Sequence, residues 1–402
     1  MPFQGEALLD QVAGVLPDVV DLRRRIHRHP ELGLQLPLTQ QAVLDALADL
    51  PVSISTGSAV TSVVADLVGG RGDGPTILLR ADMDALPMPE NTGVEFASET
   101  EGTMHACGHD AHTAMLVGAA RVLTERRDEF AGTVRFMFQP GEEGFHGAKF
   151  MIEEGVLEEP HVDAVFALHV TPNAPSGVLS SRGGAIMAAP DVINIRVRGK
   201  GGHASAPYQA NDPMPVAAEI VTALQVFATR RIDTFDPVVI TITKIRAGTT
   251  NNVIPEEVLM EGTLRSVSER SRKIALAGID RIVHHVAAAH EMEATFDHVE
   301  GYPVTVNDHD FVRFTEGVTK RLLGEKAFVE MAAPVMGAED FSYLLQARQG
   351  AFAFLGVCPK GQKPPEAHAC HSNRMTIDES ALRNGVGIHC ATALTFLDGG
   401  LG

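Results

Sequence analysis

Four short, continuous apolar runs stand out along the chain, at residues 76–80, 133–138, 164–168 and 351–355. Runs of this length without polar alternation predict strands that are covered on both faces. Helical patterns lie before and between them. Residues 5–28 predict a helix that ends near His29-Pro30, because proline disfavours helix in the residue before it. Residues 39–49 and 111–126 predict two more helices. Strands alternating with helices argue an α/β class, with a mixed, mostly parallel sheet and helices on both faces.

The middle of the chain has another rhythm. Residues 192–198 start apolar and become alternating, 212–229 carry an apolar helical face, and 238–245 and 257–265 read as two strands. Residues 268–290 predict a second helix and 293–299 a last strand. The order β-α-β-β-α-β is the ferredoxin-like arrangement, in which helices cover one face of the sheet. The expectation is therefore an inserted domain at 187–297. Residues 1–186 and 298–402 would form the discontinuous outer domain.

A length of 402 residues suits two domains, and 45% hydrophobic against 21% charged residues is enough for two cores. No apolar run approaches the roughly 18 residues of a membrane helix. Residues 1–21 contain no Lys or Arg, so no secretory leader is expected. A net charge of −18 disfavours nucleic acid and anionic lipid as partners. Four cysteines in so long a chain do not suggest a disulfide framework, and a reducing cytoplasm is the expected location.

The chemistry gathers where the strands end. The first strand runs into Asp82-Met83-Asp84, the second into Gln139-Pro140-Gly141-Glu142-Glu143-Gly144, and the third into His169. In open α/β sheets, sites form beyond the carboxyl ends of strands. Between the first two strands, Met104-His105-Ala106-Cys107-Gly108-His109-Asp110-Ala111-His112 packs one thiol, three imidazoles and a carboxylate into nine residues. Thiolate, imidazole and carboxylate are donors for ions of the zinc or manganese kind. A spare carboxylate beside such a site is what metal-assisted hydrolysis needs as a proton shuttle.

Each piece is weak alone. A lone cysteine is more often a buried structural residue, and a Glu-Glu pair more often a solvated turn. Together with His169 the balance reverses. Cys107 and His109 are expected to act from a loop or extended segment, just before a helix starting near Ala111. Of Glu142 and Glu143, one would bind metal and the other would reach the metal-bound water. His105 and His112 read as orienting or structural groups. His27 and His29, at a helix end that favours cations, receive no catalytic role. His371 in Ala369-Cys370-His371-Ser372 would by itself be an ordinary loop histidine.

In the insert, the loop Gly199-Lys200-Gly201-Gly202-His203 presents one imidazole, while Asn252 and Arg265 lie next to strands. As a trio they would suit an acyl substrate bearing a carboxylate: Arg265 and Asn252 for the anion, His203 for a carbonyl oxygen.

These segments together resemble the M20 metallopeptidase family, and most closely its aminoacylase and hippurate hydrolase-like subfamily. The resemblance rests on His29-Pro30-Glu31-Leu32-Gly33, Arg80 to Pro87, Met104 to His112, Gln139 to Gly144 and His169. It continues through Gly202-His203-Ala204-Ser205, Asn252-Val253-Ile254-Pro255, Gly337 to Phe341 and His371-Ser372. The pieces run in family order over nearly the whole chain. The resemblance implies two divalent ions, zinc or manganese with cobalt or nickel as alternatives. Their ligands would be Cys107, His109, Glu143, His169 and His371, with Cys107 as the bridge. It makes Glu142 the general base and later the acid. Asp82 and Asp84 would orient the ligands.

The resemblance further implies a homodimer built through the insert, with a tetramer as the larger alternative. His203 would reach the partner protomer's site. One departure is Arg374-Met375 after His371-Ser372, where relatives often carry an aromatic residue. The expected activity is hydrolysis of N-acyl-L-amino acids, hippurate-like compounds among them. Two other readings stand beside it: a dipeptidase or aminopeptidase on the same fold, and a non-catalytic metal-dependent binding protein. The presence of Glu142, Glu143 and His203 argues against the last.

Overall fold

A computed structural model describes residues 3–401 of the chain. They pack as two compact units. One comprises the residues up to Gly184, Val306–Ala333 and those from Asp340 onward; the other is Ala185–Thr305 with Pro334–Glu339. The expected boundary at 298 falls inside a strand, Glu293–Glu300.

The first unit is built on an eight-stranded sheet. Its spatial order is Ser53–Thr56, Val63–Val68, Thr133–Gln139, Thr76–Asp82, Ala164–Thr171, Gln349–Gly356, Leu179–Ser181 and Phe328–Glu330. The four central strands run parallel, and those two that begin at Thr76 and Thr133 are buried along their whole length. Burial on both faces explains their unbroken apolar sequence. Parallel pairing brings the carboxyl ends to one edge, where Asp82 stands opposite Gln139 in register. The third strand continues to Thr171, so His169 lies within it and not beyond it as expected. An apolar run marks where a buried strand begins but not where its pairing stops.

Two helix starts also differ from expectation. The helix His109–Glu125 begins two residues before Ala111. Gly108, at a left-handed φ of 89°, turns the chain into it, and a Cβ there would lie 2.4 Å from the Val170 side chain. His109 is therefore the first helical residue. The helix expected at 39–49 is Pro37–Leu47. Proline suits a first turn, and the Glu31 carboxylate accepts the orphan N–H groups of Leu38 (3.2 Å) and Thr39 (2.8 Å). Among the described residues no helix is long and apolar enough to cross a membrane.

In the second unit, strands Ala189–Arg198, Val238–Arg246, Glu257–Ser266 and Glu293–Glu300 form one antiparallel sheet. Ile193, Ile195, Val197, Val258, Met260 and Leu264 alternate inward from two of its strands. They pack with the buried faces of Pro213–Arg230 and Glu269–Ala289. Asp212 and Ser268 cap those helices by accepting the N–H groups of Met214 and Ser271.

His27 sits in the last turn of the Gly5–Arg28 helix, at the cation-favouring end where the sequence places it. Its ring is buried, with Nδ1 at 2.8 Å from Asp110 and Nε2 at 3.2 Å from Glu90. Arg23 shares Asp110 at 3.0 Å, and the ring of His105 is 6.2 Å away. Burial opposes the charge on His27, but Asp110 and Glu90 outweigh both burial and Arg23, and its pKa is raised to about 9. The folded pKa lies above the unfolded value near 6.5, so this stabilisation is complete below about pH 6.5. It is lost as pH rises through about 9. Urea titrations should show unfolding free energy falling across that window, and His27→Gln should flatten the fall. An unchanged slope in the variant would assign the pH dependence to other groups.

Candidate metal centre

The strand ends and the start of the His109–Glu125 helix bring the expected donor side chains into one cluster. Donor atoms of Cys107, His109 and His169 lie within 4.8 Å of one another, as do those of Cys107, Glu143 and His371, and of His109, Glu142 and Glu143. Cys107 Sγ is 3.3 Å from His169 Nε2, and His371 Nε2 is 3.1 Å from Glu143 Oε1. Cys107 is common to the first two groups and His109 links the first to the third.

Hydrogen bonds fix which atoms point inward. His169 Nδ1 sits 2.7 Å from the Val170 carbonyl, which can only accept, so Nδ1 carries the proton and Nε2 offers its lone pair toward Cys107. His112 is engaged at both nitrogens: Nε2 accepts the Val170 N–H (2.8 Å) and Nδ1 donates to Asp82 (2.6 Å). It is a neutral strut between strands, not a ligand. Asp84 accepts the backbone N–H groups of both Glu142 and Glu143 at 2.9 Å, one on each oxygen. This clamp holds the two carboxylates on their turn. Gly141, at φ 70°, enters the turn where a Cβ would lie 2.5 Å from Leu34.

Asp82 is itself held. Arg80 donates to it at 2.6 Å, to Gln139 at 2.8 Å and to Asp340 at 3.0 Å. Gln139 and the Ala148 N–H also donate to Asp340. Nothing local in the sequence announces this buried lattice, since its members are up to 260 residues apart. His371 adopts a left-handed φ of 67°, which is uncommon for a side-chain-bearing residue, and its N–H is tied to the Ala106 carbonyl at 2.7 Å.

The donor set fits a divalent cation. Both ring nitrogens of His109 are buried without a hydrogen bond; their nearest acids stand off at 3.4 Å (Asp84) and 3.6 Å (Asp82), so an ion taken up at this ring would satisfy a nitrogen that the protein leaves short of a hydrogen bond. Asp82, Asp84 and Glu143 favour positive charge at that ring, and against the cost of burial they raise its pKa to about 10. Contact with Cys370, then burial and the charges of Glu143 and Glu142, push the Cys107 thiol up. A coordinated ion acts in the opposite direction and favours thiolate.

In the second unit, His203 and Val253 are paired in a short ladder, and the Ala204 N–H donates to the Asn252 carbonyl at 3.0 Å, so His203 and Asn252 are neighbours. The Ser205 amide donates to His203 Nδ1 (3.1 Å), which leaves the proton on Nε2 of an exposed ring. Arg265 lies on the strand Glu257–Ser266 and is half-buried. Among the described residues its guanidinium makes no hydrogen bond or ion pair. The acid that acts on it, Asp191, is already held by Arg272 at 2.6 and 2.8 Å.

The chain matches peptidase family M20/M25/M40 over residues 78–395. It is 40% identical over 394 residues to thermostable carboxypeptidase 1 of Saccharolobus solfataricus, spanning 97% of this chain and 98% of that protein. It is also 40% identical over 383 residues to IAA-amino acid hydrolase ILR1-like 4 of Arabidopsis thaliana, spanning 94% and 86%. Among solved structures, the Bacillus subtilis YXEP protein, described as a dinuclear metal binding peptidase from the M20 family, superimposes with a TM-score of 0.83 at 34% identity. The match covers 96% of this chain and 99% of that one. The chain belongs to the M20/M25/M40 peptidase family, on its aminoacylase-like side, and is a hydrolase of amide or peptide bonds.

Proposed function

We propose that the protein is a dinuclear metal-dependent amidohydrolase that cleaves N-acyl-L-amino acids into a carboxylic acid and a free amino acid. The observation that carries this reading is the Asp84 clamp, which presents two adjacent carboxylates to one cluster of thiol and imidazole donors. Cys107, His109, Glu143, His169 and His371 would hold the ions, zinc or manganese, and Asp82 and Asp84 orient this set. When bound, such ions polarise the amide carbonyl and acidify water.

The residues divide the remaining work. Glu142 accepts the proton of the attacking water and returns it to the leaving nitrogen. His203 donates its Nε2–H to the carbonyl oxygen as charge builds there. In a dimer joined through the second unit, that ring serves the partner's site. Arg265 and Asn252 take the substrate carboxylate. The names of the two relatives support this substrate class, since a carboxypeptidase and an amino acid conjugate hydrolase both cut an amide whose nitrogen belongs to a terminal amino acid. An uncompensated guanidinium at Arg265 suits the carboxylate that such substrates carry.

Arg265→Ala should raise KM for acyl-amino acids by roughly tenfold or more, as expected for a lost charge-assisted contact, and leave kcat nearly unchanged. Neutral acyl amides should be unaffected; an equal effect on both would remove Arg265 from carboxylate binding. The deciding experiment is product release from N-acetyl and N-benzoyl amino acids and from dipeptides, after chelation and reloading with zinc or manganese. Metal-restored cleavage of the acyl-amino acids supports the reading. Cleavage of dipeptides alone would make the protein a dipeptidase on the same scaffold.

A further inference from the structure

The turn that carries Glu142 and Glu143 is closed at its base. The Gly147 N–H donates to the Gly141 carbonyl at 3.0 Å, and a Cβ at Gly147 would lie 1.6 Å from the Pro140 carbonyl oxygen. Asp84 clamps the outgoing leg at residues 142 and 143. The returning leg ends at His146, whose φ of 58° is left-handed, a conformation that L side chains adopt at a cost and glycine adopts freely. Three non-glycine residues among those described have such a φ, and another of them is the proposed ligand His371. Residues kept in sparsely populated backbone regions cluster at functional sites, where the surrounding contacts over-determine them. Here one such contact is Tyr343. Its hydroxyl is 2.8 Å from His146 Nδ1, and both side chains are half-buried within the first unit. Three residues before Tyr343, Asp340 accepts the Ala148 N–H at 2.9 Å. The segment 340–343 therefore grips residues 146–148, where the turn ends. The His146 carbonyl also accepts the N–H groups of Lys149 (3.0 Å) and Phe150 (3.3 Å), so the same residue opens the helix Gly147–Glu153.

We propose that the His146–Tyr343 hydrogen bond is a second fastening of the carboxylate turn, and that both are positioning residues for Glu142 and Glu143. A clamp on one leg alone leaves a turn free to rock about that leg. A contact on the opposite leg removes the motion. The restraint matters because a misplacement of about 1 Å at a reacting group can cost on the order of a hundredfold in rate. Glycine at 146 would relax the backbone but could not reach Tyr343. The contact, not the turn, accounts for an imidazole at this φ. The proposal rests on the reading of Glu142 as the base and Glu143 as a ligand.

Tyr343→Phe deletes only the hydroxyl. Reloaded with zinc, this variant should lose roughly tenfold in kcat on whichever acyl-amino acid or dipeptide the wild type cleaves. KM and metal per chain should stay near wild-type values. His146→Gly should lose kcat to the same degree without a matching fall in the urea unfolding midpoint, because relief of the left-handed φ offsets the lost contact. His146→Asn should restore most of the rate, since asparagine tolerates this φ and its amide carries both a donor and an acceptor. The double variant Tyr343→Phe with His146→Gly should be no slower than either single one. A merely structural contact would lower the midpoint and leave turnover per bound zinc unchanged, and that result overturns the proposal. A double variant whose loss is the product of the two single losses overturns it as well. Glu142→Gln is the reference. If it is slow and Tyr343→Phe is normal, the fastening fails and the reading of Glu142 stands. If Glu142→Gln turns over normally, that reading fails and takes the proposal with it.

Discussion

Glu142→Gln is expected to keep its full metal complement and lose roughly a hundredfold or more in kcat, the usual scale for removing a positioned general base. The substitution is informative because of how the turn is held. Asp84 grips the backbone N–H groups of residues 142 and 143, not their side chains. The amide replaces the carboxylate without releasing the clamp, and only the capacity to take a proton is lost. Glu143→Gln should behave differently. Its carboxylate faces His371 and is held below the usual carboxylate range, with the His371 contact and the charge of His109 outweighing burial. Neutralising it should weaken metal retention first and rate only as a consequence. Steady-state kinetics with parallel metal analysis separates the two. Near-wild-type turnover in Glu142→Gln would remove Glu142 from proton transfer.

Much of this site was legible because its signals are local. A buried strand announces itself as an apolar run, and the residues after it are then placed at a sheet edge by parallel pairing alone. Asp82 and Glu142-Glu143 were placed in that way. The ferredoxin-like order of the second unit was equally visible, since its half-buried strands and capped helices repeat at short range. What stayed hidden depends on distant partners. His112, read from the sequence as an orienting or structural group, is a strut engaged at both nitrogens, but its partners Val170 and Asp82 could not be named from the segment itself. His27 is the helix-end cation the sequence reads, but its burial between Glu90 and Asp110 was not visible because those acids are 63 and 83 residues away. The start of the helix at His109 needed the left-handed turn at Gly108, which the segment alone does not declare.

The lattice around Arg80 carries the largest expected effect on stability. Its guanidinium is 1% exposed and reaches two carboxylates, Asp82 and Asp340, that are fully buried. Arg80→Met fills similar space but leaves both acids without their shared cation, a change that costs about 3–5 kcal/mol in comparable buried pairs. The loss should depend on pH in a defined direction. In the wild type, burial would raise the Asp82 pKa, but Arg80 and the nearby histidines hold it well below the usual carboxylate range. Its contribution is therefore present above pH about 4 and lost on acidification. In the variant the same carboxyl is buried without Arg80, its pKa moves upward, and protonation relieves the strain. The gap between wild type and variant should thus be widest near neutral pH and close toward pH 4. Arg80→Lys should fall between the two, because it restores the charge without the fork that spans Asp82, Gln139 and Asp340. Urea titrations of the three proteins at several pH values measure this directly. A neutral-pH loss below about 1 kcal/mol, the range of exposed pairs, would mean that the lattice orients the site without supporting the fold.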